Sequence, residues 1–410
     1  MSSVLETLVD GAPAVDDGEF GPARARALEI LRARGFPTRK TEAWKYTPLA
    51  RLEQRELAVA GPATGEVPDA PSLPFEAAVL HWHNGVLDPS RSDLPRGITL
   101  TGLVPGDVDA SRLDADSPAD AFSWLNLARF EQGWRVFIDE TPDLPLVLVS
   151  TWDDDFSAAA FPRVVVELAP DTEAVLVEWQ QGSGEGLIAS ELGIELARAA
   201  SLTHAVRREA GGTALIQRTH VEVRNGASYR GIVVDGGGSL TRQDLGVDLL
   251  EAGARAGIHG VGMLSGQSLV DYHTAIRHRV GGTNSEEDFR LLADDRSVGV
   301  FNGRILIVPG ADDSHSTMNT GNLLLGENAR INIKPELEIH AEEVTASHGA
   351  TIGQLEDDAR FYLRSRGLDE QEATALLKYG FAAAVLDALP AGDLRDWLDG
   401  AVHEHLRDQS

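Results

Sequence analysis

The feature that most constrains this fold is a repeat. From about residue 76 to residue 350, helical periodicity gives way to short β-runs, several of which share one shape. An apolar alternation leads to a tight corner containing alanine, and a second alternation follows. The runs are VVVELAPDTEAVLVEW from Val164, GIELARAASLTHAV from Gly193, HVEVRNGASYRGIVV from His220 and GVDLLEAGARAGIHGV from Gly246. Their corner alanines, Ala174, Ala200, Ala227 and Ala254, are 26, 27 and 27 residues apart. A fifth run, LLLGENARINIKPEL, places Ala329 75 residues beyond Ala254, close to three further periods. A fixed period of short strands with small-residue corners is the signature of a solenoid. Strands alternate inside and outside, and corners need residues that turn without clash. A sandwich has no reason to keep a constant period. The pattern predicts a mainly β protein with a parallel β-helix core over 76–352.

The flanks read as helical, over 1–75 and 353–410. GPARARALEILRARG has Pro22 near its start and Gly35 as its stop. Residues 53–75 are rich in Ala, Gly and Pro and read as a loop. Near the C-terminus, DARFYLRSRG ends at Gly367, and Asp369 with Glu372 forms a capping-box arrangement. Ala373, Leu377, Phe381, Ala384 and Ala388 then line one helix face. Pro390 stops that helix, and Asp393 is placed to cap a short final one carrying Trp397. Helices stacked on the end of a β-helix would cap its exposed strands, and an apolar face left over would bind a partner.

Composition narrows the function. The N-terminus has no basic start and no apolar core of a secretory signal, and no run approaches a membrane span; the expected address is the cytoplasm. The 410 residues include no cysteine, so disulfides, thiolate nucleophiles and Cys-based metal sites are all excluded. Any metal must be held by imidazole or oxygen. The net charge of −28 opposes binding to nucleic acid or anionic lipid, and no Lys/Arg run counters it.

Four kinds of candidate site stand out. His81 and His83, in HWH, would share one strand face and resemble the HxH of metal-binding cupins; an ordinary strand face explains them as well. QGSGEG from Gln181 and DGGGS from Asp235 are Gly-rich, but neither has the strand–helix setting of a nucleotide loop, and both read as turns. The carboxylate pairs Asp294/Asp295, Asp312/Asp313 and Glu342/Glu343 resemble the acids of pectin-cleaving β-helix enzymes; solvated turns account for them equally. His348, in ASHGAT, follows the strand-like LEIHAEEV and precedes Gly349. An imidazole there can ligate iron or relay a proton, or it is a structural residue at a strand end. Residue type alone leaves both open.

At ASHGAT and the following IGQLEDDARFYLRSRGL the chain resembles the C-terminal signature of the SufB/SufD family of iron–sulfur cluster assembly proteins. WLNLARFEQGWRVFI (124–138), FPRVVVELAPDTEAVLVE, YHTAIRH (272–278), GVFNGRILI (299–307) and MNTGNLLLGENARINIKPELEIHAEEV (318–344) resemble successive segments of the family core. TEAWKYTPL (41–49), the modest length and the lack of cysteine resemble its SufD branch. The resemblance implies a right-handed parallel β-helix between helical regions, and a non-catalytic scaffold subunit. It implies pairing with SufB through the β-helix and with the SufC ATPase through the C-terminal helices, where Phe361, Tyr362, Leu377 and Phe381 are the candidate contacts. In that SufBC2D complex a transient Fe–S cluster is shared with SufB. His348 is the implied ligand, with Glu342 and Glu343 as weaker ones. Ala346 stands where some members carry a cysteine. FADH2 association is implied for the complex, with no residue assigned; whether a homodimer exists without SufB is left open, and the β-helix edges are the surface through which one would pair. No Walker A sequence occurs, so ATP hydrolysis belongs to SufC. The rival readings are an independent polysaccharide-active β-helix enzyme and a scaffold that holds a cluster alone; the lack of thiolates opposes the second.

Overall fold

The computed structural model describes residues 4–11, 18–59, 67–108, 110, 113 and 118–408. Between Ala78 and Gly353 the chain winds into a parallel β-solenoid of about eight turns. Successive strands alternate between two sheets. One sheet runs through Gly211–Val223, Gly238–Leu249, Leu269–His278 and Val298–Ile307 to Arg330–Ile339. The other runs through Ser201–Glu209, Ser228–Asp235, Arg255–Leu264, Asn284–Ala293 and Ser314–Leu324 to Val344–Gly353.

Ser201, Ser228, Arg255, Asn284, His315 and Thr345 stand in continuous register, so coils hold 27 to 31 residues. The residue before each of the first five is the true repeating corner: Ala200, Ala227, Ala254, then Thr283 and Ser314, all buried. Two of the sequence-derived corners need correction. Ala174 pairs with Leu202 inside a strand. Ala329 turns at the opposite corner, where its N–H donates to the Gly326 carbonyl as that of Ser297 does to Asp294. The corner demands a small buried residue, and a hydroxyl meets that demand when it finds a partner. The Thr283 and Ser314 hydroxyls partner each other at 3.1 Å.

Apolar residues on the inward faces fill the solenoid. Helices α1 (Val4–Asp10), α2 (Gly21–Arg34), α3 (Ala50–Glu53) and α4 (Ala121–Arg129) pack against the outside of the first sheet. Pro22 opens α2, and the Gly35 N–H, at φ 70°, closes it on the Leu31 carbonyl. Helices α5 (Asp357–Ser365), α6 (Glu370–Ala383) and α7 (Asp393–Asp408) follow the solenoid, and α6 and α7 lie on the outside of the second sheet. The α6 capping box forms: Asp369 accepts from the Glu372 N–H at 2.8 Å, and Glu372 accepts from the Asp369 N–H at 2.9 Å. The final helix is 16 residues long, and Asp393 is its first residue rather than its cap.

The helices therefore clasp the flanks of the solenoid, and the expected capping of its final strands does not occur. The reason lies in the strands. The second half of Arg255–Leu264 and its neighbours is apolar on both faces, so it recruits the α6 and α7 side chains outside. The last coil carries no buried residue.

Candidate functional site: the open end of the solenoid

Strands Arg330–Ile339 and Val344–Gly353 each pair on one side only. Each leaves a row of backbone donors and acceptors unpaired along its outer edge. Parallel register puts paired residues on the same face, so the terminal coil's inward face can be read from the buried coil beneath. Phe301, Ile305 and Ile307 are interior, and they place Ile333, Leu337 and Ile339 on the end layer. Ser314, Ser316, Met318, Thr320 and Asn322 are buried, and they place Val344, Ala346, His348, Ala350 and Ile352 beside them. The end layer is apolar except for one imidazole. His348 is solvent-exposed because no coil covers it, and Ile339 and Ile352 are 42% and 51% exposed for the same reason.

The other sequence candidates fall elsewhere. Glu342 and Glu343 form the corner before the last strand, where both backbone N–H groups donate to Asp312 Oδ1 at 3.0 and 3.2 Å. At roughly 3.3 Å per residue, five residues of strand put Glu343 about 16 Å from His348. Asp294/Asp295 and Asp312/Asp313 are also corners, with Asp295 and Asp313 at positive φ. The imidazoles of His81 and His83 both bond the Thr151 hydroxyl, at 2.7 and 3.0 Å, and His81 also meets the Pro68 carbonyl. Burial holds the His81 pKa below its ordinary value. The two Gly-rich segments are turns two coils apart with the Gly211–Gly212 turn between them, and Arg55 ties the three together by donating to the carbonyls of Glu185, Gly186 and Gly212 and to the Ser239 hydroxyl. Among the described residues no group of three His, Asp or Glu side chains is placed to hold a metal. His348 is thus a single imidazole on an open face.

On the C-terminal helices, Phe361 and Tyr362 of α5 are 74% and 57% exposed. Leu377 is half-buried. Phe381 is engaged within the chain: the Arg290 guanidinium lies 5.2 Å over its ring, and its edge packs on Gly321. The exposed aromatic pair is on α5, whereas on α6 Phe381 packs against the solenoid and the Tyr379 hydroxyl donates to Asp399 of α7 at 2.6 Å.

Sequence reasoning missed the polar groups inside the solenoid. Arg208 is buried and bonds Asp235 at 3.0 Å, Gln180 at 2.7 Å and Gln243 at 2.8 Å. Glu178 accepts from Gln217 and meets His204, whose other nitrogen meets the Tyr229 hydroxyl. Their only sequence signal was a charged or amide residue at an inward position of the alternation.

Comparison with known proteins agrees with this architecture. Residues 150–381 match the model of the SUF system FeS cluster assembly SufBD core domain. The chain belongs to the SufBD family. An iron–sulfur cluster assembly SufBD family protein of Synechocystis is 31% identical, over 91% of this chain and 88% of its own. The iron–sulfur cluster assembly protein SufD of Escherichia coli is 28% identical, over 94% and 93%. A SufBD family protein of Mycobacterium tuberculosis is 27% identical, over 90% and 89%. The likeness is of the SufD type and extends through both helical flanks, so the fold and the SUF-system role in Fe–S cluster assembly apply to the whole chain. Among the described residues no helix is long and apolar enough to cross a membrane.

Proposed function

We propose that this chain is the non-catalytic scaffold subunit that pairs with SufB through the open end of its solenoid and carries SufC on its C-terminal helices. In this reading His348 is its contribution to a nascent cluster at the shared interface. The observation that carries the reading is the end layer itself. Two edge strands of ten residues each frame an apolar platform with one imidazole in it. Strand addition by another solenoid would satisfy the edges. It would also bury Ile339 and Ile352 and bring foreign ligands to His348. A chain without cysteine supplies one nitrogen donor, and the thiolates that clusters prefer come from the partner.

SufC binding is assigned to α5, where Phe361 and Tyr362 form the exposed aromatic pair. Nucleotide-driven movement of SufC would then pull on a helix joined to the last strand by only Gln354–Glu356. This gives a direct mechanical route from the ATPase to the interface. The ATP-dependent step requires that the nucleotide bind two arrangements of the complex with different affinity.

The test is co-purification with SufB and SufC of the wild type and of His348→Ala, followed by anaerobic cluster reconstitution on each complex. The reading expects the variant complex to assemble and to hold little cluster. Normal reconstitution would make ASHGAT a structural corner and leave ligation to SufB.

A further inference from the structure

Behind the open end lies an interior acid that the packing leaves poorly satisfied. Glu287, in strand Asn284–Ala293, is 0% exposed. It is in line with His348: Glu287 is the register partner of Met318, and Met318 is the register partner of His348. Neither of its carboxyl oxygens has a well-formed hydrogen bond; the Thr274 hydroxyl on the opposite sheet is the polar group acting on it, and it opposes the effect of burial. This is unlike Glu178 and Asp235, the other acids of the interior, which are fully bonded. Ile258 flanks Glu287 on the preceding strand. Ser285 and Phe289 flank it on its own strand, and neither is charged. His278, on the opposite strand, has both ring nitrogens on hydroxyls, of Thr283 at 2.8 Å and Ser285 at 3.0 Å, and burial holds its pKa down to about 4. With no charge acting on it, Glu287 is pushed up to about 7 by burial. Along that register column the Met318 thioether is the side chain between it and the end layer. That side chain lies across Gly303, where a Cβ would fall 2.7 Å from Sδ. Methionine is unbranched and adaptable, so this cover is a movable one.

We propose that Glu287 is a proton-accepting residue for sulfur chemistry at the open end, reached past Met318. The proposal rests on the reading of the His348 end as the assembly site. When a protonated sulfur there, a thiol or hydrosulfide, takes iron(II), the S–H bond breaks and an S–Fe bond forms. Both electrons of the S–H bond stay on sulfur, and no oxidation state changes. The freed proton goes through water admitted by the parted interface to the Glu287 carboxylate. Reclosing over a neutral acid is less costly than reclosing over a buried charge, so closure follows proton uptake.

The experiment measures the initial rate of cluster formation against pH in the complex with SufB and SufC, for wild type, Glu287→Gln, Glu287→Asp and His348→Ala. A protonated-carboxyl infrared band, present in wild type and absent from Glu287→Gln, checks that the acid is neutral below pH 7. The expected result is a titration step near pH 7 in wild type. Glu287→Gln should lack that step and be slower by roughly a hundredfold, and Glu287→Asp should restore a displaced step. Glu287→Gln or Glu287→Asp with the wild-type profile in an assembled complex overturns the proposal, as does Asp behaving like Gln. Loss of cluster at every pH in His348→Ala, or its retention, reports separately on the site reading.

Discussion

Met318 lies directly beneath His348. The two are register partners in the last two strands of one sheet, one 0% exposed and the other open to solvent. The pairing shows that His348 occupies a position that is interior in every earlier coil. An imidazole on the uncovered layer has no packing to lose. His348→Ala should therefore leave the unfolding midpoint of the isolated chain within the range of neutral surface changes, about 0.5 kcal/mol. A larger loss, read by denaturant titration, would mean that the imidazole has a structural role.

The end platform predicts a separation of binding from folding. Ile352 is 51% exposed on the terminal edge strand. Ile352→Asp should destabilise the free chain by at most about 1 kcal/mol. Burying that carboxylate against another solenoid is unfavourable, so affinity for SufB should fall at least tenfold, about 1.4 kcal/mol. Binding of SufC, assigned to α5, should be unchanged. Calorimetric titrations with the two partners separate the effects, and an equal loss of both would point to misfolding of the end.

The interior ion pair predicts a large stability effect far from any site. Arg208 and Asp235 are both fully buried and meet at 3.0 Å. Removing one partner leaves an uncompensated charge, so Arg208→Met should cost about 3–5 kcal/mol. The double replacement Arg208→Met with Asp235→Leu should recover part of that loss. If the single variant unfolds at the wild-type denaturant midpoint, water or a rearranged neighbour is satisfying Asp235.

Much of this architecture was legible, for a physical reason. A solenoid repeats its constraints, so the alternation around Ala200, Ala227 and Ala254 was visible without any partner. The count failed at Ala174 and Ala329 because what repeats is a small buried corner, filled later by Thr283 and Ser314. Phe381 looked free in the helical pattern because its partner, Arg290, is 91 residues away. His348 was visible as a motif, but its place on the uncovered layer was not, since that depends on where the winding stops. Glu287 gave no signal at all: it is one of three consecutive acids, and only its register with Ile258 and Met318 turns it inward.

Glu287 and His278 predict a pH dependence in which two groups oppose each other. Glu287 is raised from 4.5 to about 7. Its neutral form is favoured in the fold, so the stability it contributes is fully present below pH 4.5 and is lost as pH rises through 7. His278 is lowered from 6.5 to about 4. Its contribution is present above pH 6.5 and is lost as pH falls through 4. Between pH 4.5 and 6.5 the two slopes cancel. Glu287→Gln removes one of them, so the variant should gain on wild type by about 3 kcal/mol between pH 4.5 and 7. Denaturant titrations at pH 5 and pH 8 measure the difference, and a constant offset between the two chains would show that Glu287 does not titrate in the fold.

Ala346 offers the sharpest test of why the chain has no cysteine. It is two residues from His348 on the same face of the edge strand, so side chains at both positions look out of the open end. A thiol introduced there would be exposed beside an imidazole, a setting that favours the thiolate. Ala346→Cys should take up labelled sulfur from a persulfide donor before SufB arrives, whereas the wild type, with no thiol, takes up none. Sulfur held there as a persulfide is bound to this chain and competes with delivery to the partner's thiolates. The variant complex should therefore reconstitute less cluster per SufB, with the missing sulfur recovered on this chain. If cluster yield is unchanged and no label stays on this chain, the lack of cysteine does not protect the sulfur supply.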